Sequence, residues 1–196
     1  NNRPDALIPL GLILLEKGDT KTALEHFRKG KDDLGCIYYS GLAFRDLNKV
    51  IMATTLFKEI LRKGAQSQWA DKAQYQIGES FFQSNQYPLA AEAFDNLLSH
   101  YPESDLREEA LYLLACSDFQ QGKYGEAEIK LQNLLEEFPQ SALTLYSNYL
   151  IGEISLKQNN LAKALANYSS ALKVEKLSMY SLYKIIWCHA QQNQYE

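Results

Sequence analysis

Four alanines, Ala53, Ala90, Ala127 and Ala164, stand 37 residues apart at every step, and Gly41, Gly78, Ala115 and Gly152 keep the same interval twelve residues upstream. Two small-residue positions held in register describe an array of one repeated unit. The residues around them have helical spacing: in Ala73-Gln-Tyr-Gln-Ile-Gly-Glu-Ser-Phe-Phe the apolar positions fall three and four apart, the period of an amphipathic helix. Small side chains at fixed points are what stacked helical hairpins need where their backbones approach closely. Alternating strand patterns are absent, so the chain reads as all-α.

Turn signals punctuate the array in the same register: Lys17-Gly18-Asp19, Leu47-Asn48-Lys49, Ser84-Asn85-Gln86, Gln121-Gly122-Lys123 and Gln158-Asn159-Asn160. Each is short enough to join two antiparallel helices. Longer joints follow, His100-Tyr-Pro-Glu-Ser-Asp and Glu137-Phe-Pro-Gln-Ser-Ala, in which proline ends one helix and serine can cap the next. The expected order is helix A, turn, helix B, joint.

These positions resemble the tetratricopeptide repeat (TPR) family, whose pattern runs aromatic, x2, Leu-Gly, x2, Tyr, then Ala, x3, Phe, then Pro. The third repeat has Ile77-Gly78, Phe81, Ala90, Phe94 and Pro102 at those offsets, with Gln74 where the leading aromatic belongs. The second carries Gly41, Phe44, Ala53 and Phe57, the fourth Leu114-Ala115, Ala127, Leu131 and Pro139, and the fifth Ile151-Gly152, Ala164 and Tyr168. The resemblance implies a right-handed α-solenoid of TPR hairpins, with repeats near 4–33, 34–70, 71–107, 108–144, 145–178 and a partial 179–196. That makes one solenoid of five hairpins plus one helix. The step exceeds the family's usual 34 residues, which implies an added helical turn or a longer joint and a changed pitch. The first pair, with Gly11, Ala23 and Phe27, precedes its successor by only 30 residues, so its second helix or joint must be short. Pro9 inside its first helix predicts a late start or a kink.

Composition narrows the function classes. With 46% hydrophobic residues the chain can bury a substantial core, and a net charge of -4 with both signs scattered argues against a nucleic-acid binder. The longest apolar run, Ala6 to Leu15, contains Pro9 and Gly11 and is shorter than the roughly 18 residues of a membrane span. No small-residue cleavage site follows it, so it reads as the first inner helix. Cys36, Cys116 and Cys188 fall on different inner helices and read as small buried thiols, a mild argument for a reducing compartment. The chain is expected to be soluble, cytoplasmic or bacterial periplasmic. Its ends at Asn1-Asn2 and Tyr195-Glu196 lead to the expectation of a fragment of a longer protein.

No residue set calls for catalysis or a cofactor. His26, His100 and His189 lie on different hairpins without partners at metal-ligand spacing, and Cys188 and His189, adjacent on a helix, point in different directions. Glu108-Glu109 and Glu136-Glu137 read as solvated charge at helix ends.

In the TPR family the A helices line a concave face, and the resemblance implies a groove here. Its fifth positions are Tyr38, Tyr75, Tyr112, Tyr149 and Tyr183, a ladder of five tyrosines. The ladder can grip an extended peptide or short helix, or pack between adjacent A helices. The remaining groove positions include Leu42, Arg45, Lys72, Glu79, Phe82, Glu109, Cys116, Phe119, Tyr146, Glu153, Lys157 and Trp187. Aromatic and mixed in charge, they suit an apolar or amphipathic segment of another protein rather than a strongly acidic one. The tyrosines occupy the place of the first lysine of the family's carboxylate clamp, so that clamp is not expected.

The sequence thus reads as a non-catalytic interaction scaffold. The alternative is a structural assembly module that self-associates or docks within a larger protein, through Leu7, Leu10 and Leu14 at one end and Ile186 and Trp187 at the other. The joints Tyr101-Pro-Glu-Ser and Phe138-Pro-Gln-Ser also resemble those of bacterial envelope TPR proteins.

Overall fold

The computed structural model describes residues 4–172 and 175–192; Asn1-Asn2 and Tyr195-Glu196, on which the expectation of a longer chain rests, lie outside the described residues. Among the described residues there are eleven α-helices and no strand. They run α1 (Pro4–Glu16), α2 (Thr20–Arg28), α3 (Leu34–Asp46), α4 (Val50–Gly64), α5 (Ala70–Gln83), α6 (Tyr87–His100), α7 (Arg107–Gln120), α8 (Tyr124–Glu137), α9 (Leu143–Lys157), α10 (Leu161–Ala171) and α11 (Glu175–Gln192). The chain forms two compact units, Asn1–Ala110 and Leu111–Glu196. In the first, α1 packs on α2, α3 on α4 and α5 on α6, with α2 against α3 and α4 against α5. In the second, α8 packs on α9, α9 on α10 and α10 on α11.

Every short turn uses one device. Gly18, Asn48, Asn85, Gly122 and Asn159 adopt φ of 79°, 56°, 60°, 76° and 59°, the left-handed region that only glycine and asparagine enter at low cost. The amide three residues after the end of each A helix then donates back across the turn: Asp19 to Leu14, Lys49 to Phe44, Gln86 to Phe81, Lys123 to Asp118 and Asn160 to Ser155, at 2.8–2.9 Å. These are Schellman closures, which satisfy helix-end carbonyls. Helix B starts at once. The amides of Ala23, Ala53, Ala90, Ala127 and Ala164 each donate at 3.0 Å to the carbonyl of the last turn residue.

The longer joints also follow one pattern. Ser104 and Ser141 Oγ accept from the amides of Leu106 (3.2 Å) and Leu143 (2.8 Å), at the starts of α7 and α9. Ser67, 37 residues before Ser104, accepts from Trp69 N at 3.4 Å just before α5 without any proline in its joint. Pro102 and Pro139 follow the last residues of α6 and α8, as their position predicts. The first hairpin closes its 30-residue step with a short second helix, since α2 has 9 residues where α4 has 15.

The hairpins share one seat. A methyl group built on Gly41 falls 2.5 Å from the Phe57 ring, one on Gly78 2.6 Å from Phe94, and one on Gly152 2.6 Å from Tyr168; Gly11 lies against Phe27 in the same way. In each case the aromatic residue stands sixteen positions later and is at most 1% exposed. The fourth hairpin has Ala115, whose real methyl leaves no room for a ring, and its partner is Leu131, at 0% exposure. A larger residue on helix A thus meets a smaller one on helix B.

Other details depart from the consensus. Gln74, in place of the leading aromatic, is buried and donates from Nε2 to the Ala93 carbonyl at 2.7 Å, tying α5 to α6. Asp118, 2% exposed, pairs with Lys130 Nζ at 2.7 Å, where the two preceding repeats place Phe44 with Leu56 and Phe81 with Ala93.

Two expectations need correction. Of the late start or kink that Pro9 predicts, the late start does not occur, since α1 begins at Pro4; proline removes one backbone hydrogen bond there while Leu7 and Gly11 still dock. Leu7 is not part of an open end face. It is 5% exposed, packed with Ala23, Phe27 and Cys36, whereas Leu10 is 43% exposed.

Gly78→Ala is expected to destabilise the protein by about 1–2 kcal/mol in urea unfolding, because overpacking against Phe94 outweighs the roughly 1 kcal/mol that alanine gains over glycine in an open helix. A stabilised variant would show that the seat is not tight.

Candidate partner-binding face

The A-helix positions singled out from sequence recur three, four or seven residues apart, so on each helix they share a face. In the first unit these are Tyr38, Leu42 and Arg45 on α3, and Lys72, Tyr75, Glu79 and Phe82 on α5, with Glu109 exposed in the first turn of α7. In the second they are Tyr112, Cys116 and Phe119 on α7, Tyr146, Tyr149, Glu153 and Lys157 on α9, and Tyr183 and Trp187 on α11.

The structure places the ladder tyrosines at two depths. Tyr38, Tyr75, Tyr112 and Tyr149 are half-buried. Tyr38 lies 5.7 Å from Phe57 and 5.1 Å from Trp69, Tyr75 5.8 Å from Phe94, and Tyr149 5.5 Å from Tyr168, between ring centroids. These rings therefore rest on the aromatic residue that fills the hairpin seat. Tyr183 is different, at 65% exposure. Burial pushes the Tyr38 and Tyr75 phenols up to about 12, with Arg45 opposing the rise at Tyr38 and the Glu79 carboxylate adding to it at Tyr75. Burial likewise raises Tyr112 and Tyr149.

Charged residues on this face join neighbouring A helices. Arg45 donates from Nη1 to Glu79 Oε2 at 2.5 Å and to Gln76 Oε1, and also pairs with Asp46 at 3.1 Å. The equivalent in the second unit is Glu153, which accepts from Tyr168 OH at 2.7 Å and pairs with Lys184 Nζ at 2.8 Å. Lys72 sits 5.5 Å above the Trp69 ring, Phe82 meets Tyr87 edge to face at 5.5 Å, and Phe119 meets Tyr124 at 5.5 Å.

Four of the expected residues come together around one cavity. Glu153, Lys157, Tyr183 and Trp187, with Leu156 and Lys184, line a space of about 300 Å³ between α9 and α11. Gln76 and Lys184 were missed in the sequence. Their signal was a polar residue one position beyond a ladder tyrosine, at Gln76 after Tyr75 and Lys184 after Tyr183. An apolar hollow of about 330 Å³ lies elsewhere, lined by Leu24, Phe44, Met52 and Ile51, the last 83% exposed.

The thiols are sheltered. Cys36 and Cys188 are buried and Cys116 half-buried; burial pushes Cys36 up to about 12 and Cys116 up to about 11, which keeps them as thiols. Among the described residues no group of three or more His, Cys, Asp or Glu side chains is placed to hold a metal ion, and no helix is long and apolar enough to cross a membrane.

The profile of the YfiO family, described as an outer membrane lipoprotein, matches residues 67–173. Solved structures with the same fold include MamA from Desulfovibrio magneticus RS-1, 18% identical, with a TM-score of 0.72 over 88% of this chain and 94% of that one. YrrB, described as a TPR protein with an unusual peptide-binding site, is 18% identical, with a TM-score of 0.71 over 93% and 91%. PilF of Pseudomonas aeruginosa is 15% identical, with a TM-score of 0.68 over 97% and 90%. A comparison with curated protein sequences finds no match. The likeness establishes the TPR fold.

The raised phenols give a pH prediction. An unfolded tyrosine ionises near pH 10, whereas Tyr38 and Tyr75 hold their protons to about 12. Their contribution to stability is therefore full below pH 10 and lost as pH rises from about 10 to 12. Urea midpoints measured across that range should fall, and Tyr75→Phe should make the fall shallower; an unchanged slope would contradict the burial.

Proposed function

The chain belongs to the YfiO family of outer membrane lipoproteins, and from that premise we propose that it is a non-catalytic interaction scaffold of the bacterial envelope, whose A-helix face takes up a peptide or helical segment of another protein. The observation that carries this reading is the cavity between α9 and α11, where Tyr183 and Trp187 are 65% and 41% exposed beside the paired Glu153 and Lys184. Exposed aromatic side chains next to fixed polar groups supply contact area and orientation together, as binding hot spots do. The peptide-binding site named for YrrB supports the same use of the fold. The cysteines are compatible with an envelope location: buried thiols at raised pKa neither need partners nor oxidise readily.

Tyr38, Tyr75 and Tyr149 serve this function from behind, by holding the A helices against the B-helix aromatics. Of the five, Tyr183 is the one with most of its surface free for a partner.

Self-association is a second reading, favoured by Met179, Tyr180 and Ile186 on α11, which are 75%, 65% and 67% exposed. Sedimentation over a range of concentrations separates the two, since a scaffold for other proteins stays at constant mass.

The direct test is affinity capture from an envelope extract with the native chain, a Tyr183→Ala/Trp187→Ala variant and an Ile51→Ala variant, all shown to be folded by circular dichroism. The reading predicts a protein retained by the native chain and Ile51→Ala and lost by the α11 variant. Retention by the α11 variant with loss by Ile51→Ala would move the site to the apolar hollow and overturn it.

A further inference from the structure

The cavity between α9 and α11 carries an unequal set of charges. The Glu153 carboxylate is fully engaged: Oε1 accepts from Tyr168 OH at 2.7 Å, and Lys184 Nζ stands 2.8 Å from Oε1 and 3.1 Å from Oε2. Glu153 and Lys184 therefore neutralise each other at the wall. Lys157, in the last turn of α9, is exposed and makes no ion pair among the described residues. Among the described residues the lining thus keeps one positive charge at its edge that is not in an ion pair, and the rest of the rim is Leu156, Tyr183 and Trp187.

We infer that this cavity takes a short linear segment of a partner protein in which an apolar side chain is followed or preceded, within a few residues, by a single aspartate or glutamate. The inference rests on the groove reading above and adds the chemistry of the ligand. A space of about 300 Å³ is at the lower end of the range for ligand pockets and suits one anchoring side chain rather than a folded element. Leu156 and the two aromatic rings supply its apolar walls. Lys157 supplies the attraction for the carboxylate, and the Glu153–Lys184 pair disfavours a second charge of either sign, because a further ion would have to compete with a bonded partner. Among the described residues of the lining a polyacidic segment finds one cation without an ion pair, Lys157, whereas a purely apolar segment leaves Lys157 unused.

Selection from a random peptide library displayed on phage tests this with three versions of the whole chain: native, Lys157→Gln and Trp187→Ala, each shown to be folded. The native chain should enrich peptides with Leu, Met, Phe or Trp within three residues of Asp or Glu. Lys157→Gln should keep the apolar preference and lose the acidic one. A synthetic copy of the leading peptide should lose roughly 2- to 5-fold in affinity when its acid is replaced by the amide, the size of an exposed ion pair, and that difference should shrink as salt is raised. Enrichment of apolar anchors with no acidic preference, or an acidic preference that survives Lys157→Gln, would overturn the inference and leave the groove reading standing. If Trp187→Ala binds the same peptides equally well, or if nothing is enriched, the groove reading falls with it. A Lys157 that merely complements the negative end of α9 would alter stability and leave selection unchanged, which also overturns the inference.

Discussion

The structure depends on a single steric match, the ring of helix B seated on the bare backbone of helix A. Gly41 with Phe57, Gly78 with Phe94 and Gly152 with Tyr168 leave less than 3 Å for a methyl group, so the two helices approach as closely as an aromatic ring allows. Each fully buried ring contributes on the order of 2–3 kcal/mol of transfer free energy. It also fixes the height of one helix against the other, while the left-handed turn residue, the closing amide bond and the alanine of helix B recur in the fourth hairpin too, where no ring is seated. The fourth hairpin supports the same rule by inversion, with Ala115 against Leu131.

This seat also shapes the exposed face. The tyrosine three residues before the small position lies over the seated ring in the second, third and fifth hairpins. It is therefore half-buried by the same packing that holds the hairpin together. Ion pairs add a link from one A helix to the next, as Arg45 does with Glu79 and Glu153 with Lys184. Both pairs are partly exposed, so their contribution to stability is small; they fix which polar groups a partner meets. Only α11 leaves its tyrosine largely free, and the cavity forms beside it.

Much of the fold was legible in the chain because its devices need particular residues. A left-handed turn calls for glycine or asparagine, a close approach calls for glycine or alanine, and both recur in register. The short second helix of the first hairpin followed from a 30-residue step. The position of Leu7 did not, because helical periodicity marks an apolar face without saying which neighbour covers it. Depth escaped the sequence for the same reason: Tyr75 and Tyr183 occupy equivalent positions, yet one rests on Phe94 and the other is 65% exposed. The cross-helix pairs were also hidden, since Arg45 and Glu79 stand 34 residues apart and Glu153 and Lys184 stand 31 apart. Four cavity residues, Glu153, Lys157, Tyr183 and Trp187, could be named from family positions, while their meeting around one space could not.

The claim that each hairpin is set by a matched pair of small and large residues is tested most directly in the hairpin that departs from the rule. Ala115→Gly, Leu131→Phe and the double variant can be compared by urea unfolding, with hydrogen exchange of α7 and α8 as the local readout. The account predicts that each single change destabilises, one by opening a gap and the other by driving a ring into the Ala115 methyl, and that the double variant recovers to native stability or above. Losses that simply add would contradict it.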